Sequence, residues 1–211
     1  MTFYVPRHFR IDDRDTLERF VLANAFGTLV SAGPDGLSVS HIPFLPARGE
    51  DGRYRLLGHV ARANPHWREL ESAGEVLVLF EGPHAYVSPG WYAHHPSVPT
   101  WNYAVVHARG RARLLPPEEL PGLLDGLSRA YEDGRPSPWR MQALPGDFTQ
   151  GLLGAIVGFE IAVERLEGKF KLSQNRRPDD VANVAAALEA EGRGALADLM
   201  REHAARPPES R

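Results

Sequence analysis

The stretch 58–67, Gly-His-Val-Ala-Arg-Ala-Asn-Pro-His-Trp, gathers residue types that could bind an anion. Arg62 supplies a planar, permanently charged donor fork suited to phosphate or carboxylate. Asn64 followed by Pro65 predicts a helix start, because asparagine accepts from free N–H groups and proline's fixed φ suits the first helical position. Tyr54, Leu56 and Leu57, after a Gly-Glu-Asp-Gly turn, predict a strand over 53–58. Trp67 and Leu70, set against Arg68, Glu69 and Glu71, predict a helix over 65–72. Strand, arginine and capped helix would aim free N–H groups, a helix dipole and a guanidinium at one point, where a phosphate monoester fits. An ordinary turn with a solvated Arg62 is also compatible with these residues.

Two further groups could serve a ligand. Trp91-Tyr92 and Trp101-Asn102-Tyr103 flank a loop at 90–99, and planar residues with an amide beside them suit a flat heterocycle, although strand aromatics also fill cores. The run Lys171–Asn175 is donor-rich and lies between a strand and a capped helix, so it offers a second cationic arm for the same anion. Lys169 and Lys171 are the only lysines among 24 basic residues.

Other chemistries are set aside. The chain has no cysteine, which removes disulfides, thiolate metal sites and a cysteine nucleophile. Gly192-Arg193-Gly194-Ala195-Leu196-Ala197 matches a loose dinucleotide fingerprint but follows no strand, and Gly168-Lys169 lacks the rest of a phosphate-binding loop. His84, His94, His95 and His107 have no acidic residue at ligand spacing, so no metal site is expected. A net charge of −3 argues weakly against a broad nucleic-acid surface. No stretch approaches the ~20 apolar residues of a membrane span, and no signal pattern opens the chain. A cytoplasmic protein is expected.

The elements that must position these residues read as follows. A helix over 13–24 carries Leu17, Phe20 and Val21 on one face. Strands over 26–31 and 37–45 flank the turn Gly33-Pro34-Asp35-Gly36, and Pro43 predicts a sheet edge or a bulge. Strands follow at 75–80, 84–88, 100–115 and 157–166. Helices are expected from Pro116-Pro117 through Tyr131, over 147–155, and from Pro178 onward with a break at 192–194. The run 169–177 reads as irregular. Strands in hairpin-like succession with helices at both ends predict a mainly β fold with α additions, an antiparallel barrel. The expectation is a single domain over 1–203 and a flexible tail over 204–211.

Six motifs then carry a resemblance: Gly-Thr-Leu-Val at 27–30, Ser-His-Ile-Pro at 40–43, Gly-His-Val-Ala-Arg-Ala-Asn-Pro at 58–65, Gly-Pro-His-Ala-Tyr-Val-Ser-Pro at 82–89, Val-Pro-Thr-Trp-Asn-Tyr at 98–103 and Glu-Arg-Leu-Glu-Gly-Lys-Phe-Lys-Leu-Ser-Gln-Asn-Arg at 164–176. In this order they resemble the PaiB family, FMN-binding proteins named as negative transcriptional regulators. Phe170 stands where the family leads one to expect Trp. The resemblance implies an antiparallel split β-barrel and a homodimer with FMN in clefts between subunits. It gives Arg62 and Asn64 the FMN phosphate, lays Ser40 and His41 along the flavin, and brings Trp101 and Asn102 to the ring system. Lys171, Ser173 and Gln174 would close the site, and His59 joins the cofactor-binding set.

A regulator should meet DNA, directly or through a partner, yet no helix-turn-helix is visible. The row Arg109, Arg111 and Arg113 could face a phosphate backbone, but a solvated sheet face is the expected reading. The alternatives are an FMN-dependent oxidoreductase, since the flavin carries its own redox chemistry, and a haem-binding or haem-degrading protein with His41, His59 or His84 as axial ligand.

Overall fold

A computed structural model describes residues 3–34 and 36–205. In chain order the elements are β1 (Arg10–Ile11), α1 (Arg14–Ala23), β2 (Phe26–Gly33), β3 (Gly36–Pro43), β4 (Leu45–Arg48), β5 (Tyr54–Ala61), α2 (Trp67–Leu70), β6 (Val76–Val87), β7 (Thr100–Leu114), α3 (Leu120–Glu132), α4 (Gly146–Gly154), β8 (Ile156–Lys171), α5 (Pro178–Ala190) and α6 (Gly194–Ala204). The sheet has eight strands in the order β3-β2-β6-β7-β8-β5-β4, with β1 paired to β8. The fold is mainly β, with an antiparallel sheet and helical additions, as the strand pattern predicts. The tail expected at 204–211 falls, from 206 onward, outside the described residues.

The chain forms two compact units. One comprises Glu18–Phe80 and His107–Leu166. Here β2 and β3 pair antiparallel from Phe26↔Pro43 to Gly33↔Gly36, and β5 pairs β8 from Arg55↔Ala162 to Ala61↔Ile156. Alternation along β2, β5 and β6 sends Leu29, Leu56, Val78 and Phe80 inward, all fully buried. Phe44 meets Phe80 and Phe159 edge-on, at centroid distances of 5.6 and 6.3 Å. On the other face of β8, Leu115, Leu120, Leu123 and Leu127 form a second core with Leu57 and Ile156. Gly158 admits α3 there: a Cβ on it would stand 2.4 Å from Leu120.

Both ends of the strand order carry proline. Pro43 closes β3 and Pro46 lies in β4, each on an outermost strand, where the missing N–H costs no ladder bond. The arginine row of β7 is exposed at Arg111 and Arg113 and ion-paired at all three positions. Arg109 is buried and pairs with Glu75, Arg111 with Glu164, and Arg113 with Glu160 and Glu119.

The other unit comprises Met1–Leu17, Glu81–Val106 and Glu167–Arg211. Asp13 caps α1 by accepting from the Thr16 N–H at 2.9 Å. β1 pairs β8 at Arg10↔Lys169 and Ile11↔Gly168. Val184, Leu188, Leu196 and Met200 of α5 and α6 are buried. Two expected strands at 75–80 and 84–88 are one strand, β6, and β8 runs on to Lys171 through part of the run expected to be irregular. Polar composition misled in the second case. Lys169 and Lys171 extend along the strand while Phe170 between them is buried, the alternation of a half-buried strand.

Candidate functional site

The expected helix over 65–72 is a single turn, Trp67–Leu70, and Asn64 does not cap it. Its Oδ1 accepts instead from the His66 N–H at 3.1 Å, a local turn of the kind asparagine favours. Arg62 is turned elsewhere. Its backbone N–H donates to the Ala155 carbonyl at 2.8 Å, its Nε to the Gly154 carbonyl at 2.7 Å and its Nη2 to the Ile156 carbonyl at 2.9 Å. The guanidinium thus sits at the C-terminal end of α4, where helix carbonyls lack intrahelical donors and a cation is favoured. That differs from the helix N-terminus expected beside it. Two of its five N–H donors are used in this way, and three remain available on an exposed side chain. Trp67 donates its indole N–H to the Arg62 carbonyl at 3.0 Å and fixes the turn.

Behind this turn lies a buried polar chain. His66 is buried, with Nε2 2.9 Å from the Ser31 hydroxyl and Nδ1 2.8 Å from the Ser40 hydroxyl. Asn64 Nδ2 donates to the same Ser40 oxygen at 3.0 Å. Ser40 and Asn64, both predicted site residues, are therefore joined through an imidazole that the sequence reading passed over. The signal was in plain view, in the Asn-Pro-His-Trp run, but nothing local shows that His66 points inward. Burial lowers the His66 pKa, and Glu69 nearby opposes that shift.

Strand alternation separates Ser40 from His41. Ser40 is buried, whereas His41 is exposed and meets Thr28 Oγ1 through Nδ1 at 3.0 Å. Their side chains leave β3 on opposite faces. His59 stands opposite Gly158 on the face of β5 that also carries Leu57. Its Nδ1 is buried without a partner, and burial lowers its pKa.

The remaining predicted residues belong to the other unit. Trp101 is 54% exposed and lies near His84 and Tyr86, with ring centroids 6.4 and 6.3 Å away. Asn102 is fully buried and its amide donates to Ser173 Oγ at 2.9 Å and to Met200 Sδ at 3.5 Å. Ser173 adopts φ 68°, a left-handed conformation costly for a residue with a Cβ, and the Asn102 amide holds it there. Gln174 accepts from the Leu172 N–H at 2.7 Å and donates to the Phe170 carbonyl. Asn102 and Gln174 thus spend their amides on shaping the turn. The Lys171 ammonium donates to the Trp101 carbonyl at 2.6 Å and to the Thr100 hydroxyl.

One histidine acquires acidic neighbours that linear spacing could not reveal. His94 Nδ1 lies 3.3 Å from Asp180 and 3.5 Å from Asp179. Burial works against the Asp180 charge, but the Ala93 and His94 N–H groups and the imidazole outweigh it and hold the carboxyl below its usual range. Asp180 Oδ1 is committed to those donors, so the contact ties the 93–94 loop to the start of α5.

The comparisons with known proteins agree with the motifs. Residues 3–165 match the family described as "Putative FMN-binding domain". The chain belongs to this FMN-binding family. It is 39% identical to the protease synthase and sporulation protein PAI 2 of Bacillus subtilis, over 89% of this chain and 90% of that one, which places it in the PaiB family. An uncharacterised protein of Emericella nidulans is 32% identical over 88% of this chain and 91% of its own. Among solved structures, the FAD and haem binding protein of Mycobacterium smegmatis superposes with a TM-score of 0.60 at 18% identity, covering 84% of this chain and 79% of that one. The flavocytochrome Anf3 of Azotobacter vinelandii gives 0.56 at 17% identity, covering 85% and 78%. At such identities these two speak for the fold alone. FMN is the cofactor of the family, and the Arg62 turn lies within the matched span. No helix among the described residues is long and apolar enough to cross a membrane.

Proposed function

We propose that this protein is an FMN-binding homodimer of the PaiB type that acts in negative transcriptional regulation. The observation that carries the flavin assignment is the half-engaged Arg62 guanidinium: the Gly154 carbonyl at the end of α4 and the Ile156 carbonyl at the start of β8 fix its plane, and three N–H donors are left for a phosphate. Preorganisation of this kind lowers the entropic cost of binding. The buried Ser31–His66–Ser40–Asn64 chain supports the same turn from beneath. When bound, FMN would supply a redox-active flavin. This chain's part is to hold the phosphate at Arg62.

Dimerisation is supported by the outer face of the β2–β3 hairpin. Phe26, Leu37 and Val39 are 65, 74 and 54% exposed there, the last two on β3 at the end of the strand order. Uncovered apolar side chains on an edge strand are a liability unless a second chain covers them. The regulatory role rests on the family and on the name of the Bacillus relative. The ion-paired arginines of β7 speak against direct DNA contact by that row, so regulation through a partner is the form favoured here. Titrating FMN and riboflavin against flavin fluorescence tests the phosphate assignment. Much tighter binding of FMN is expected, and equal affinities would refute it. A gel shift with upstream DNA, run beside NAD(P)H oxidation with added FMN, separates the regulator from an oxidoreductase.

A further inference from the structure

Many strand cations of this chain meet carboxylates, but Lys169 and Lys171 of β8 do not, nor does Arg176 in the turn beyond it. Lys169, Lys171 and Arg176 are all half-buried, and none pairs with a carboxylate among the described residues. Their contacts are neutral. Lys169 Nζ donates to the Tyr4 carbonyl at 3.2 Å and lies 5.4 and 5.5 Å from the ring centroids of Tyr4 and Tyr103. The Lys171 ammonium has the Trp101 carbonyl and the Thr100 hydroxyl, with the Phe9 ring 6.0 Å away. The Arg176 guanidinium stacks 4.3 Å from the centroid of Tyr92 and reaches Ser97 Oγ at 3.4 Å. The three feel one another: burial first, then the charges of Lys169 and Arg176, push the Lys171 amine below its usual range.

Such an arrangement costs free energy in the unliganded chain. Partial desolvation of three like charges is offset only by carbonyls, hydroxyls and ring faces. The contrast is β7, where Arg109, Arg111 and Arg113 each have a glutamate. A fold that supplies counter-charges to one cationic row and withholds them from another leaves the second for an external anion. Three cations call for more than one negative charge, and a phosphate or diphosphate carries it where a monocarboxylate does not.

We propose that Lys169, Lys171 and Arg176 form a binding site for the phosphate or diphosphate of a second small ligand, separate from FMN. Lys171 and Arg176 are its principal donors, and the flanking aromatic rings hold the cations in place. This goes beyond the flavin assignment and rests on it in one respect only, that the FMN phosphate is held at Arg62 and not here.

The test is isothermal titration of inorganic pyrophosphate into the FMN-saturated protein. Saturable binding that leaves the flavin in place is expected. Lys171→Gln and Arg176→Gln should each weaken pyrophosphate at least tenfold, Arg176→Gln with FMN affinity changed less than twofold, whereas Lys171→Arg should retain most of the binding. Thermal unfolding of each variant identifies any that fails to fold, and Lys169→Gln, whose ammonium has a single hydrogen bond, then stands in for it. Absence of pyrophosphate binding to the wild type overturns the proposal. Displacement of FMN by pyrophosphate, with the same variants losing FMN, also overturns it and assigns the cluster to the flavin. If Arg62→Ala keeps its FMN affinity while the lysine and Arg176 variants behave as stated, the Arg62 assignment fails and the second site stands.

Discussion

The Arg62 Nε–H donates to the Gly154 carbonyl at 2.7 Å, so a residue predicted to serve a ligand also closes the end of a helix. Both roles use one planar fork, and variants can separate them. Arg62→Ala should weaken FMN roughly thirty- to hundredfold, the equivalent of about 2–3 kcal/mol for a charge-assisted contact. Arg62→Lys should recover part of the loss, because a point charge cannot copy the fork. Arg111→Ala, whose exposed side chain pairs with Glu164 at 3.3 Å, is the control and should bind FMN normally. Flavin fluorescence titration decides, and wild-type affinity in Arg62→Ala would move the phosphate elsewhere.

One buried and one half-buried imidazole make stability depend on pH. Burial lowers the pKa of both His59 and His66 from 6.5, so below that pH the unfolded chain binds more protons than the folded one. Their contribution is fully present above 6.5 and is lost as pH falls from there toward the lowered native values. The melting temperature should therefore drop between pH 7 and pH 5. His59→Leu removes an imidazole whose Nδ1 has no partner and should flatten that slope. An unchanged slope would mean that other groups set the dependence.

Asn102 holds a strained turn from inside the core. Its amide is the partner of the Ser173 hydroxyl, and Ser173 sits at φ 68°. Asn102→Ala should cost about 1–3 kcal/mol, because a buried hydroxyl loses its partner. Urea unfolding measures this, and a loss well under that range would show that the turn holds itself.

The exposed hairpin face gives a prediction about assembly. Val39 lies opposite Val30, and Leu37 opposite Ala32, on the face that also exposes Phe26. Val39→Asp should convert the expected dimer into a monomer, as read by light scattering at micromolar concentration with FMN present. A wild-type monomer under those conditions would remove dimerisation from the proposal, and a dimeric Val39→Asp would place the interface on another face.

Much of the fold is legible in single segments. Alternation in 26–31 and 157–166, the hairpin turn near Gly36, the Asp13 start of α1 and the leucine stripe at Leu120, Leu123 and Leu127 are local signals, and each appears as an element close to its expected place. Errors fall where local and tertiary preferences compete. Glu81-Gly82-Pro83 reads as a break, yet β6 continues through it; β2 pairs with β6 only over 77–79, so Pro83 lies outside that ladder. Asn64-Pro65 reads as a helix cap, but only one turn of helix follows.

The sequence by itself determined the family, the cofactor and the residue types that could meet it, because six ordered motifs and a rare pair of lysines are matters of composition and order. What each donor faces was decided only by tertiary structure. Arg62 meets carbonyls more than ninety residues away, His66 joins Ser31 to Ser40, and His94 finds Asp180 across the chain. The physical reason is that buried polar groups must find partners wherever the fold supplies them, and chain separation places no limit on which partner that is.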